Sequence, residues 1–124
     1  MAKAIADGIA KQGKIPEVVE VTSISTSVLD AEGAFALGCP SMGAEELEED
    51  TMEPFVAELE SKVSGKKVVL FGSYDWGDGE WMRTWVSRME VAGATVVASV
   101  IVNNEPDNAG IAECMAAGEK LASL

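Results

Sequence analysis

The chain contains no histidine. That removes the commonest acid–base group near neutral pH and the commonest metal ligand. Cysteine is nearly absent too: Cys39 and Cys114 are far apart and form no CxxC pair. Without a histidine to activate it, Cys39 reads as a small buried hydrophobe rather than a nucleophile, and both thiols are expected to be free. Basic residues are scarce, nine Lys and Arg against 21 Asp and Glu, for a net charge of −12. Nucleic acid and anionic membrane surfaces both need clustered Lys and Arg, so neither is expected as a partner. The acidity suits a soluble protein, or one steered to a basic partner. No apolar run approaches the length of a membrane span and no signal-peptide pattern is read, so a cytoplasmic location is expected.

What is present is enough for one domain of 124 residues, 48% hydrophobic and 24% charged, with a real core. Its most informative stretch is 66–81, KKVVLFGSYDWGDGEW. Val68–Val69–Leu70–Phe71 reads as a strand buried on both faces. Gly72–Ser73 breaks it, and Tyr74–Asp75–Trp76–Gly77–Asp78–Gly79 sets two aromatics among glycines and acids before a helix starts at Glu80. In an open parallel sheet such a loop lies at the carboxyl end of a strand, where ligands bind. Trp76 is either a stacking platform for a planar ligand or a packed turn tryptophan; these residues alone leave both open.

In chain order, Met1–Lys11 reads as a helix on the spacing of Ala2, Ile5, Ala6 and Ile9, with Gly13 past its end. No Ser, Thr, Asp or Asn caps it, and it looks like a helix entered after its beginning. Pro16–Val21 reads as a short strand, and Ala34–Leu37 as another that runs into Gly38–Cys39–Pro40–Ser41–Met42–Gly43. The acidic run through 45–53 reads as a solvated face. Pro54 suits a helix's first turn, with Met52, Phe55, Val56, Leu59 and Val63 as the apolar stripe. Asp78 is the candidate N-cap of a helix over 80–92, whose Trp81, Trp85 and Met89 are expected in the core. Thr95–Val102 is a strand with an interruption near Ala98–Ser99. Asp107 or Asn108 caps a last helix, with Ile111, Met115 and Ala122 inward. Strands alternating with helices imply an α/β fold, a parallel sheet with helices on both faces.

The two loops, Gly38–Cys39–Pro40–Ser41–Met42–Gly43–Ala44–Glu45–Glu46–Leu47–Glu48 and Phe71 through Met82, resemble the flavin-binding loops of short-chain flavodoxins. Glu53–Pro54–Phe55, Ser64–Gly65–Lys66–Lys67 and Ile101 through Asp107 fall at similar spacing, so the resemblance covers essentially the whole chain. It implies a flavodoxin-like three-layer fold of strand order 2-1-3-4-5, non-covalent FMN at the carboxyl edge, and a low-potential one-electron carrier rather than an enzyme. Redox partner oxidoreductases, with basic docking surfaces to match the acidic chain, are implied as well. Carried over by position, Met42 lies against the inner face of the flavin ring. The peptide Gly43–Ala44 turns toward N5 on reduction, which glycine's freedom of φ makes cheap. Glu45 bonds the N3 edge, Trp76 covers the outer face, Ser73, Tyr74, Asp75 and Gly77 line the second loop, and Ser41 and Pro40 approach the ribityl and ring edge.

Three departures stand out. Ala44 occupies a position where relatives carry aspartate or serine, and Asp75 one where glycine is usual, which adds a negative charge near the ring. The family's first strand and its phosphate-binding loop have no counterpart, so residues 1–124 are read as one domain lacking strand 1, and no residue is assigned to the phosphate. The alternative function is a truncated chain that binds FMN weakly or not at all and serves as a partner-binding module or non-functional fragment. A flavin reductase is less supported, because no proton donor or second cavity is in evidence. A phosphoacceptor receiver domain is rejected, because Gly38–Cys39 stand where it needs aspartate.

Overall fold

Strand formation follows the continuous apolar runs. In the computed structural model, which describes residues 1–41, 46–75 and 77–123, three parallel strands form one sheet. They are β1 (Ala34–Gly38), β2 (Lys67–Tyr74) and β3 (Thr95–Asn103), in the order β1-β2-β3. Four helices accompany them: α1 (Ala2–Lys11), α2 (Met52–Leu59), α3 (Glu80–Val91) and α4 (Asn108–Ala122). The result is the flavodoxin-like α/β arrangement expected.

The period of two along each strand divides the core. Phe35, Leu37, Val68 and Leu70 face α2 and α3, where they meet Phe55, Val56, Leu59, Trp81, Trp85 and Met89. Val69 and Val100 face α1 and α4, against Ile5, Cys114, Ala117 and Leu121. The interruption expected in β3 is a register shift: Val68 pairs with Val96 but Val69 with Ala98, so one extra residue bulges out of the ladder. On the second face the helices meet backbone to backbone. A Cβ on Gly118 would overlap the carbonyl of Ile5, and one on Gly8 the carbonyl of Met115.

α2 and α3 are tied by Arg88, whose Nη1 and Nη2 donate to the two Glu53 oxygens at 2.7 and 2.8 Å, while Nε donates to Glu60. The bidentate fork is the strong geometry for such a pair, and it raises the guanidinium pKa, Glu53 being the main cause. At the start of α2 every available donor is taken by one residue. Glu48 Oε1 accepts from Thr51 N and Met52 N at 2.8 and 3.0 Å, Oε2 accepts from Asp50 N at 2.7 Å, and the Glu48 carbonyl accepts from Glu53 N at 2.8 Å. Pro54, next in line, has no N–H to satisfy. These bonds, led by Met52, hold the Glu48 carboxyl below the ordinary glutamate range.

Four expectations need correction. Pro16–Val21 is not a strand: residues 14–20 are irregular and Val21–Ser23 is a 3-10 turn. The backbone polar groups of a strand need a ladder partner, and among the described residues no strand runs beside this segment; Ile15 is 98% and Val18 63% exposed. It runs instead from the α1 layer toward the opposite one. There Thr26 donates to Glu58 at 2.7 Å, and Lys66 Nζ holds the Leu29 carbonyl at 2.6 Å. β2 runs on to Tyr74, so Ser73 and Tyr74 are strand rather than loop. The N-cap position of α3 is taken by Gly79, left-handed at φ 91°, rather than by Asp78; one residue earlier, Asp78 pairs with Arg83 at 2.9 Å and its carboxylate still accepts from the Glu80 N–H. Ile111 is 41% exposed, whereas Ala122 is buried and Met115 packs on the core as expected; Gly110, Cys114, Ala117, Gly118 and Leu121 complete the inner face of α4. Asp107 does cap α4, accepting from Gly110 N at 2.8 Å. Both cysteines are buried and free.

Gly118→Val is expected to lower stability by about 1–3 kcal/mol, the usual cost of overpacking, through separation of α1 from α4; thermal unfolding reads it, and an unchanged Tm would rule out the close crossing. Because the Glu48 pKa is depressed on folding, its stabilisation is complete above the unfolded-state value and is lost as pH falls through the folded one. The Tm difference between wild type and Glu48→Gln should hold steady from about pH 6 to 8 and close below about pH 4. A difference that persists in acid would contradict the capping role.

Candidate functional site

The carboxyl ends of the three strands converge on one edge of the sheet, and short backbone contacts lock them there. β1 continues as a ladder past its last regular residue: Cys39 N donates to the Phe71 carbonyl at 3.0 Å and Ser41 N to the Ser73 carbonyl at 2.9 Å. This close approach needs glycine at 72, since a Cβ there would overlap the Cys39 carbonyl. The same carbonyl accepts from the buried Trp81 indole Nε1 at 3.3 Å. From the other side, Asn104 N and Asn103 Nδ2 donate to the Tyr74 carbonyl at 2.7 and 3.3 Å. Tyr74 leans on Trp81, ring centroids 5.6 Å apart and tilted by 51°.

Of the residues singled out from sequence, Ser41, Ser73 and Tyr74 are therefore brought together, each half-buried, and Asp75 and Gly77 follow on the exposed turn. Gly77 has φ 87°, a conformation that suits glycine. Met42, Gly43, Ala44, Glu45 and Trp76 lie outside the described residues. The loop that carries the first four leaves at Ser41, directly across the ladder from the strand end that carries Asp75, so the two loops are neighbours at the same edge.

The loop residues described at this edge carry acidic charge only, one of them met by Arg83 from α3. Residues 39–41, 46–51 and 74–79, Trp76 apart, carry Glu46, Glu48, Glu49, Asp50, Asp75 and Asp78 and no lysine or arginine. Asp78 is held below the usual aspartate range, first by its hydrogen bond from Arg83. Burial raises the thiol pKa of Cys39, so it stays protonated; its Sγ accepts from Glu48 N and donates to the Pro40 carbonyl, each at 3.4 Å. Among the described residues no group of carboxylates or thiols is placed to hold a metal ion, and no helix is long and apolar enough to cross a membrane.

Polar backbone, hydroxyls and a tilted aromatic suit the edge of a flat, uncharged heterocycle; the acidic field suits no anion. The described loop residues supply no cation for a phosphate, and most of the residues expected against a flavin ring lie outside them. Three contributors escaped the sequence reading. Asn103 and Asn104 tie the third strand end to the second, signalled only by their place after an apolar run. Glu48 seemed one of many surface acids, although its position just ahead of a helix start was a usable signal.

The Flavodoxin family model matches residues 1–118. The flavodoxin of Clostridium beijerinckii is 46% identical over 125 aligned positions, covering the whole of this chain and 90% of that protein. That of Megasphaera elsdenii is 45% identical over 122, covering 98% of this chain and 88% of the other. The solution structure of two-electron reduced Megasphaera elsdenii flavodoxin superposes with a TM-score of 0.91 at 44% identity, over 99% of this chain and 88% of that one. On the strength of a match along nearly its full length, the chain belongs to the flavodoxin family, electron-transfer flavoproteins that pass electrons to redox partners.

Proposed function

We propose that this chain, as a single flavodoxin-like domain, is a cytoplasmic low-potential one-electron carrier that holds FMN without a covalent bond at the edge formed by Ser41 and Ser73. The observation that supports this most is the ladder bond between those two residues, which sets two glycine-containing loops side by side at neighbouring strand ends. In this reading Met42 and Trp76 cover the two faces of the ring and exclude water. Gly43–Ala44 and Glu45 offer backbone and carboxylate partners to its polar edge, and Ser41, Ser73, Tyr74, Asp75 and Gly77 line the rest. FMN supplies the one-electron chemistry.

The protein's part is electrostatic and positional. Carboxylates around the loops oppose added negative charge, which lowers the potential at which the site accepts an electron; each tenfold shift is about 59 mV. The same charge, −12 over the chain, steers basic docking faces of oxidoreductases toward this edge. A partner-binding role without flavin is not favoured, since the chain matches flavodoxins over 90% and 88% of their lengths.

Titration of FMN with the purified chain should quench flavin fluorescence to a sharp one-to-one end point; emission that persists at micromolar protein would overturn the reading. Asp75→Asn removes one exposed charge from the second loop. It should raise the lower of the two one-electron potentials by about 30–60 mV at low salt, up to one tenfold step, and by less at 1 M salt, where screening is nearly complete. No shift at either salt would remove Asp75 from the site's electrostatics.

A further inference from the structure

Two tryptophans of α3 are buried side by side, and their indole N–H groups end differently. Trp81 is 2% and Trp85 1% exposed. The Trp81 N–H has its acceptor, the Cys39 carbonyl. The Trp85 N–H is without a hydrogen-bond partner among the described residues. Buried donors are nearly always paired, so an unpaired one calls for an acceptor that these residues do not supply. Both tryptophans also wall a cavity of about 370 Å³ between α3 and residues 46–53. That is large enough for a ligand.

The cavity carries negative charge. Glu46 and Glu49 line it from exposed positions, and neither is ion-paired with a basic side chain among the described residues. Arg88 lines it too, but its guanidinium is held by Glu53 and Glu60, two carboxylates on one cation. Leu47 and the indoles make the rest of the wall apolar. An occupant must therefore bring positive charge for Glu46 and Glu49, an apolar stem for the walls and an oxygen for the Trp85 N–H. A bare cation brings only the first, and an anion only the last. A lysine or arginine in a peptide brings all three: a cationic head, methylenes that pack on apolar surface and indole faces, and peptide carbonyls.

We propose that this cavity is a docking pocket for a lysine or arginine side chain of the partner oxidoreductase. The partner's identity rests on the electron-carrier reading; the pocket's preference for a basic peptide does not. The pocket adjoins the carboxyl edge, because Trp81 both walls it and bonds the Cys39 carbonyl, where β1 continues toward that edge. A basic residue seated here holds the partner's surface beside the edge, a single buried anchor within a diffuse acidic field.

The indole N–H resonance of Trp85, identified by its loss in Trp85→Phe, is the direct probe. Isotope-labelled chain, with and without FMN, is titrated with acetyl-Gly-Arg-Gly-amide. The same peptide with citrulline for arginine keeps the stem and carbonyls and lacks the charge. The arginine peptide should move the Trp85 resonance along a saturable curve, and the citrulline peptide should bind at least fivefold more weakly. The double variant Glu46→Gln, Glu49→Gln should weaken the arginine peptide by a similar factor. Glu113→Gln, which removes an exposed charge on α4, should stay within twofold of wild type. A Trp85 resonance that does not move, or equal weakening by the α4 and pocket variants, would overturn the proposal and leave only long-range attraction. The two readings fail separately. Peptide binding to a chain that takes up no FMN sinks the carrier and upholds the pocket; FMN binding with no response to the peptide sinks the pocket alone.

Discussion

Everything at the carboxyl edge depends on how closely β1 can approach β2 beyond its regular end. The Cys39 carbonyl lies where a side chain on residue 72 would otherwise be, and only glycine leaves it that space. Given that room, the ladder runs on to the bond between Ser41 and Ser73, and the Trp81 indole closes over the Cys39 carbonyl from α3. The buried tryptophans of α3 thus serve both the core and the edge: Trp81 and Trp85 fill the space under the sheet, and the polar end of Trp81 fixes the backbone from which the first loop departs. An unpaired buried indole N–H is costly, as that of Trp85 is here; the bond made by Trp81 avoids that cost and joins core packing to loop placement.

The chain's charge is used unevenly around this frame. Arg83, Arg88 and Lys62 are joined to carboxylates, and Lys66 to backbone carbonyls. What remains at the strand ends is a field of carboxylates. In the proposed reading these carboxylates make a bound flavin gain an electron less readily and draw a basic partner, so that one physical cause, the scarcity of basic residues in the sequence, serves both.

The strands were legible at 34–37, 66–71 and 95–102 because each holds a continuous apolar run, although the second runs on to Tyr74, and the α3 core residues because their spacing is helical. Asp107 showed itself as a cap by chemistry and position together. Val18 and Val19 have the right character for a strand, but character does not supply a ladder partner, and the segment stays irregular. Gly8 and Gly118 look like weak points of two helices; only the crossing of α1 on α4 shows them to be contact points. Glu48 could not be told from its acidic neighbours, since a cap is defined by donors that exist only once the helix does. In the site itself, residue physics alone reached no further than a loop able to stack on something flat. The assignment of Met42, Gly43, Glu45 and Trp76 to a flavin came from resemblance alone, and these residues lie outside the described ones.

The central claim is that this edge holds a flavin ring in a negative, protected setting so that electrons pass singly. A spectroelectrochemical titration of the chain with bound FMN addresses it most directly. Two resolved one-electron steps are expected, the second well below the potential of free FMN. One unresolved two-electron step at the potential of the free cofactor would contradict it.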